Sequence, residues 1–234
     1  MLITTGVLLV LALIADRVAA HAAQSAVATR LQAELKLADK PAVSAHGFPF
    51  LTQLFGGRYR DVEVTAQGVT AQQFSDLTVH AHLRGLHAPF SKITSGEVDE
   101  VPVDRVEGTV GLPYDQIARA TNIPGLSLTA SGDTVRVSGT LTVLGQTFTA
   151  SAHARAEVRN GTVIVTADHA QVLGVRLPTA VLPVVERGLS FVLPVQNLPF
   201  GLRLTGVQVT PADLRVSAVA DNVVLRKGEL PTGR

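Results

Sequence analysis

Residues 148–167 read FTASAHARAEVRNGTVIVTA. Phe148, Ala150, Ala152, Ala154, Ala156 and Val158 alternate with Thr149, Ser151, His153, Arg155 and Glu157. Successive side chains of a strand point to opposite faces, so this run has one dry face and one wet face. Arg159-Asn160-Gly161-Thr162 carries the Asn-Gly pair of a tight hairpin, and Val163 to Ala167 is its return strand. The stretch predicts an antiparallel sheet.

The same alternation recurs on both sides. Val62 and Val64 alternate with Asp61, Glu63 and Thr65, and Leu77, Val79, Ala81 and Leu83 with Thr78, His80, His82 and Arg84. Val135, Val137, Gly139, Leu141 and Val143 alternate with Arg136, Ser138, Thr140 and Thr142. Late in the chain, Leu202, Leu204, Val207 and Val209 pair with Leu214, Val216 and Ala218 across Thr210-Pro211-Ala212-Asp213. Several runs exceed the roughly five or six residues of an average strand. Gly and Ala on their dry face suit a strongly curved sheet. Two helical segments interrupt the series: Leu112–Ala120, with Pro113 in its first turn, and Pro178–Val192, broken by Pro183.

Hydrophobic residues make up 46% of the 234 residues and charged residues 17%. An average soluble domain carries roughly 25% charge, so this chain either buries much surface or holds something apolar. The net charge of +1, with no basic run, excludes nucleic acid as a partner. Cys is absent, which removes thiol catalysis and Cys-ligated zinc.

Leu2 to Ala15 (LITTGVLLVLALIA) contains no charge. Its length suits the apolar part of an export signal. Asp16 and Arg17 end it, and a helical pattern of Val18, Ala22, Val27, Leu31 and Leu35 follows directly. Residues 1–15 are therefore expected to be a signal anchor that runs into an amphipathic helix over 16–37, stopped by Asp39-Lys40-Pro41. Cleavage near Ala20-His21-Ala22 is the alternative. Either way residues 16–234 form one domain, extracytoplasmic in the cell envelope and membrane-anchored or secreted. The expected class is α+β, a long N-terminal helix packed in a strongly curved, mostly antiparallel sheet.

Between helix and sheet lies Phe48-Pro49-Phe50-Leu51-Thr52-Gln53-Leu54-Phe55-Gly56-Gly57, followed by Arg58, Tyr59 and Arg60. It is read as a short helical turn or loop. One reading is a plug that seats the helix on the sheet. The other is an apolar lip that meets acyl chains or the membrane surface. Phe48, Phe50, Leu51, Leu54, Phe55, Arg58, Tyr59 and Arg60 are the lipid-binding candidates, since a guanidinium beside an apolar entrance suits a lipid phosphate.

Catalytic chemistry is not legible. Gly-x-Ser-x-Gly, HExxH, P-loop and dinucleotide-binding patterns are absent. His80 and His82 near Asp76 could share a metal, but a His-rich wet strand face is the simpler reading. Glu97, Asp99, Glu100, Asp104 and Glu107, set among valines, read as another solvated face. No catalytic residue, metal or cofactor is assigned, and no enzyme is expected.

Gly47 to Val69 (GFPFLTQLFGGRYRDVEVTAQGV) resembles the signature of the LmeA-like phospholipid-binding family of actinobacteria. The Asp16-Arg17-Val18-Ala19-Ala20 opening and the closing block Leu198 to Leu225 resemble it too. The resemblance implies a TULIP-like, tubular lipid-binding architecture and an envelope protein that binds phospholipid, phosphatidylinositol-type or other anionic lipids included. It implies a link to lipomannan-type glycolipid maturation and names no catalytic residues. A membrane glycosyltransferase is an expected partner, and the alternative function is a scaffold with a filled core that stabilises such an enzyme.

Overall fold

The computed structural model describes residues 2–71, 73–95, 100–121, 123–143, 145–172, 181–193 and 198–226. Helix α1 (Leu2–Leu35) is followed by β1 (Ala42–His46), α2 (Phe50–Gly56), β2 (Arg58–Ala71), β3 (Phe74–His87), α3 (Phe90–Ser95), β4 (Glu100–Pro113) and α4 (Tyr114–Ala120). Then come β5 (Ser127–Ser131), β6 (Thr134–Val143), β7 (Gln146–Arg159), β8 (Thr162–Val172), α5 (Leu182–Leu189), β9 (Phe191–Leu193), β10 (Arg203–Val209) and β11 (Asp213–Arg226). A 3-10 turn at Pro199–Gly201 precedes β10. The α+β class, the N-terminal helix and the antiparallel pairing expected from the alternation are all present. The strands are divided between two sheets, ordered β1-β2-β3-β4-β11-β10 and β5-β6-β7-β8-β9.

The opening hairpin forms as its turn residues dictate. Arg159 faces Thr162, and Asn160 and Gly161 adopt φ of +50° and +71°. Positive φ at both central positions matches the strand twist.

The two sheets share the main core. Leu77, Leu112, Leu214 and Val216 of the first meet Val135, Val137, Ala154, Val163 and Val165 of the second. Ile117 of α4 and Val185 and Leu189 of α5, all at 0% exposure, complete it. Pro183 sits in the first turn of α5, where its missing N–H costs no bond, so it starts the helix instead of breaking it. Residues 178–180 of the expected segment lie outside the described residues, and Phe191–Leu193 is strand.

At the far end of the first sheet a second cluster gathers Val103, Val106, Ala220 and Val223, with Leu83 and Leu86 against it. On all three strands the spacing of inward residues slips from two to three there. Gly85 (φ +64°) and Asn222 (φ +53°) supply the local bend. A Cβ on Gly85 would collide with the Asp104 carboxylate. The slip keeps one face apolar along strands of 14 residues.

Helix α1 begins at Leu2, well before the expected Asp16, and docks on β1, α2 and α3 at one side of the first sheet. The expected inward face was Val18, Ala22, Val27, Leu31 and Leu35. Instead Asp16, Ala20, Ala23 and Ala28 are buried, and Val18 is 63% exposed. Alanines let the helix backbone approach closely. Residues 10–15 are exposed all round. By length and composition α1 could cross a membrane.

Candidate functional site

Between the two clusters of the first sheet runs a transverse row of apolar residues, small at its middle. Val43 of β1 faces Val64 of β2, which faces Ala81 of β3, then Gly108 of β4, Ala218 of β11 and Leu204 of β10. All six are half-buried. They lie on the apolar face, because Val106, Gly108, Val110 and Leu112 share one side of β4 by alternation. Among the described residues a Cβ on Gly108 would meet nothing within 4 Å. The row is an open apolar floor bounded by the main core, the second cluster and α1. Five steps of about 4.8 Å carry it across roughly 24 Å.

The expected lip forms beside α1 and divides in two. Phe50 (2% exposed) and Tyr59 (5%) are core, with ring centroids 6.4 Å apart and Ala20, Ala23, Leu54, Val62 and Leu86 around them. Phe48 (50%) and Phe55 (86%) face outward. Leu51 and Leu54 are half-buried, and Arg58 and Arg60 are exposed. The Arg17 guanidinium lies 5.6 Å from the centre of the Phe48 ring, within cation–π range. Buried and exposed aromatic side chains thus sit on different residues of one segment.

Two residues that the sequence did not single out hold this segment. Asp16, 3% exposed, accepts the Leu51 N–H at 2.8 Å and so caps the first turn of α2 from α1. Gln53, 7% exposed, accepts the Arg60 N–H at 3.0 Å on Oε1. Gly57, in the left-handed region at φ +62°, ends α2 and donates to the Gln53 and Leu54 carbonyls. Among the described residues Asp16 Oδ2, Gln53 Nε2 and the Tyr59 hydroxyl are buried without a hydrogen-bond partner. Burial pushes the Tyr59 phenol pKa up.

The opposite face of the first sheet is wet and ionic. His46 meets Glu63 at 3.2 Å, His82 meets Asp61 at 3.6 Å, and the His80 ring lies 3.0 Å from the Thr65 hydroxyl. Arg105 binds Glu107 at 2.8 Å and Asp221 at 2.9 Å, while Arg84 meets Glu107 at 3.2 Å. The hydrogen bond from Arg105 holds the Glu107 carboxyl below its ordinary pKa, and Arg84 adds to it. Among the described residues no three His, Asp or Glu side chains converge on a metal position. Of the expected acidic cluster, Glu97 and Asp99 lie outside the described residues.

On the wet face of the second sheet Arg136, Ser151, His153, His169 and Gln171 line a shallow depression of about 150 Å³. Ligand pockets run to roughly 300–1,000 Å³. Among the described contacts Ser151 makes no hydrogen bond to either imidazole. His169 instead faces its neighbour Asp168 at 3.0 Å, and that bond holds the Asp168 carboxyl low.

The described residues thus form an α+β fold with an apolar sheet face, set beside a helix whose residues 10–15 are exposed. The chain belongs to the LmeA-like phospholipid-binding family, whose model matches residues 14–219. No curated protein matches it, and no solved structure does.

Proposed function

We propose that this protein is an extracytoplasmic phospholipid-binding module, tethered by α1, that lays an acyl chain along the row from Val43 to Leu204. The observation that carries this reading is the open space above Gly108 on an otherwise apolar face. Chains in one leaflet of a ~30 Å hydrocarbon core lie about 15 Å deep, so a row of roughly 24 Å has length enough. A chain that leaves the bilayer forfeits about 0.8 kcal/mol for each methylene exposed to water. A floor of Ala and Gly lets each methylene approach the backbone and recovers part of that. The surroundings are apolar too: Phe50 and Tyr59 pack with Val62 and Leu86, and these adjoin Val64, Leu83 and Ala81 along β2 and β3.

Arg58 and Arg60 stand exposed at the start of β2, suited to the phosphate of an anionic headgroup, phosphatidylinositol-type lipids included. Retention of α1 is part of the proposal. Cleavage near Ala20-His21-Ala22 would remove Asp16 and Ala20 from the docked face and leave the Leu51 N–H without its acceptor. A tethered lipid holder in the cell envelope would serve a membrane enzyme of glycolipid assembly, and a glycosyltransferase is the class proposed.

The test is mass spectrometry of a solvent extract from the chain that starts at Asp16, which keeps every buried residue of α1. Phospholipid in stoichiometric amount is expected, and Gly108→Phe should empty it without unfolding the protein. A stable, lipid-free chain, or full occupancy in Gly108→Phe, would overturn the reading.

A further inference from the structure

Phe48 and Phe55 are large, apolar and exposed in a protein whose aromatic residues are only 4% of the chain. Such residues in water need an explanation when they sit together. Their position supplies one. The Leu51 N–H is bonded to Asp16, the residue at which the charge-free run of α1 ends. Phe55 lies one helical turn beyond Leu51 in α2, a rise of about 6 Å. Phe48 precedes Leu51 by three residues and carries Arg17 on its ring. The exposed apolar surface of α1 (Val10, Leu11, Ile14, Val18) is thereby continued sideways by Phe48 and Phe55.

Arg17, Arg58 and Arg60 flank the segment in sequence and are all exposed. Of the acids beside them, Asp16 is buried and turned to the Leu51 N–H, and Asp61 is turned to His82 at 3.6 Å. Phe and Leu side chains beside basic residues are the combination by which interfacial segments bury an apolar face at the headgroup and acyl boundary. We infer that the Phe48/Phe55 lip is a second membrane contact, seated in the headgroup layer of the bilayer that holds α1. It fixes the tilt of the domain against the lipid surface. The inference does not need the acyl-chain seat to be correct.

The protein has no Trp, so a single introduced indole reports its own surroundings. Full-length Phe55→Trp, Phe48→Trp and, as a control on the edge of the second sheet, Val192→Trp would each be reconstituted in phosphatidylcholine–phosphatidylglycerol vesicles. The phosphatidylcholine is used with and without bromine on its acyl chains. The expected result is a blue-shifted emission for Phe55→Trp and Phe48→Trp that loses more than half its intensity in brominated vesicles, with Val192→Trp unchanged. Both substituted side chains are exposed, so folding is not at stake. Equal emission in the two kinds of vesicle at positions 48 and 55, or equal quenching at 192, would overturn the inference. Repeating Phe55→Trp with Gly108→Phe separates the two readings. Quenching by the bilayer persists there, whereas quenching by a lipid held on the floor disappears, and its disappearance would count against the lip.

Discussion

Gly139 and Gly108 each occupy the middle of a central strand, on its apolar face, opposite alanine. Gly139 faces Ala150 in the second sheet, and Gly108 faces Ala81 and Ala218 in the first. A Cβ at Gly139 would come within 3.1 Å of Ile123 Cγ2 and 3.3 Å of Leu189 Cδ2. A Cβ at Gly108 would touch none of the described residues. The second sheet uses its small residues to admit α5 at close range. The first uses them to leave a surface uncovered. Small residues on a strand thus mark closeness of backbone approach, and what approaches is decided elsewhere in the chain.

The comparison breaks most visibly if the two sheets respond alike to truncation. Leu189→Ala, at a fully buried position over Gly139, should cost about 2–5 kcal/mol, read as a lower urea midpoint. Leu83→Ala, half-buried at the edge of the floor, should cost clearly less. Filling the glycines should then give opposite signs. Gly139→Val overpacks the core by about 1–3 kcal/mol. Gly108→Val should gain about 0.5–1 kcal/mol, because glycine is a poor strand residue and the space is free. A destabilised Gly108→Val would mean that the floor is covered.

The smallest effect is acid sensitivity, which both sheets should share. Glu107 on the first and Asp168 on the second are held below their ordinary pKa values, each chiefly by a hydrogen bond, from Arg105 and from His169. The unfolded chain therefore takes up protons first as the pH falls. The stabilisation is complete at neutral pH and is lost as the pH drops below the ordinary carboxylate range. Both groups are substantially solvated, so the loss is modest. Glu107→Gln and Asp168→Asn should each flatten the acid limb of the unfolding midpoint against pH.

Much of the fold was legible because it is local. Alternation named the strand faces, and Asn160-Gly161 placed its hairpin. The division of those strands between two sheets was not legible, since pairing order is a long-range property. The docked face of α1 was misread because alanines carry almost no periodic signal beside Val18 and Val27. The lip residues were found as a group, but Phe48 and Phe50 look alike in sequence and differ only in which side of α2 meets α1. Asp16 was read as the end of an apolar run, and only the Leu51 N–H shows why a carboxylate is buried there. Gln53 carried no signal at all. The open floor depends on register across six strands, which no single strand displays.

Strand length has a consequence for life at high local concentration. The outer strands β1, β10, β5 and β9 are 5, 7, 5 and 3 residues long, while the inner ones run from 10 to 14. A free edge is a template for stacking onto another copy, and its adhesiveness grows with the number of consecutive unpaired amides. Here the long ladders are all interior and the exposed rims are brief. Among the described residues, the brevity of these rims works against edge-to-edge stacking of a sparsely charged, valine-rich chain.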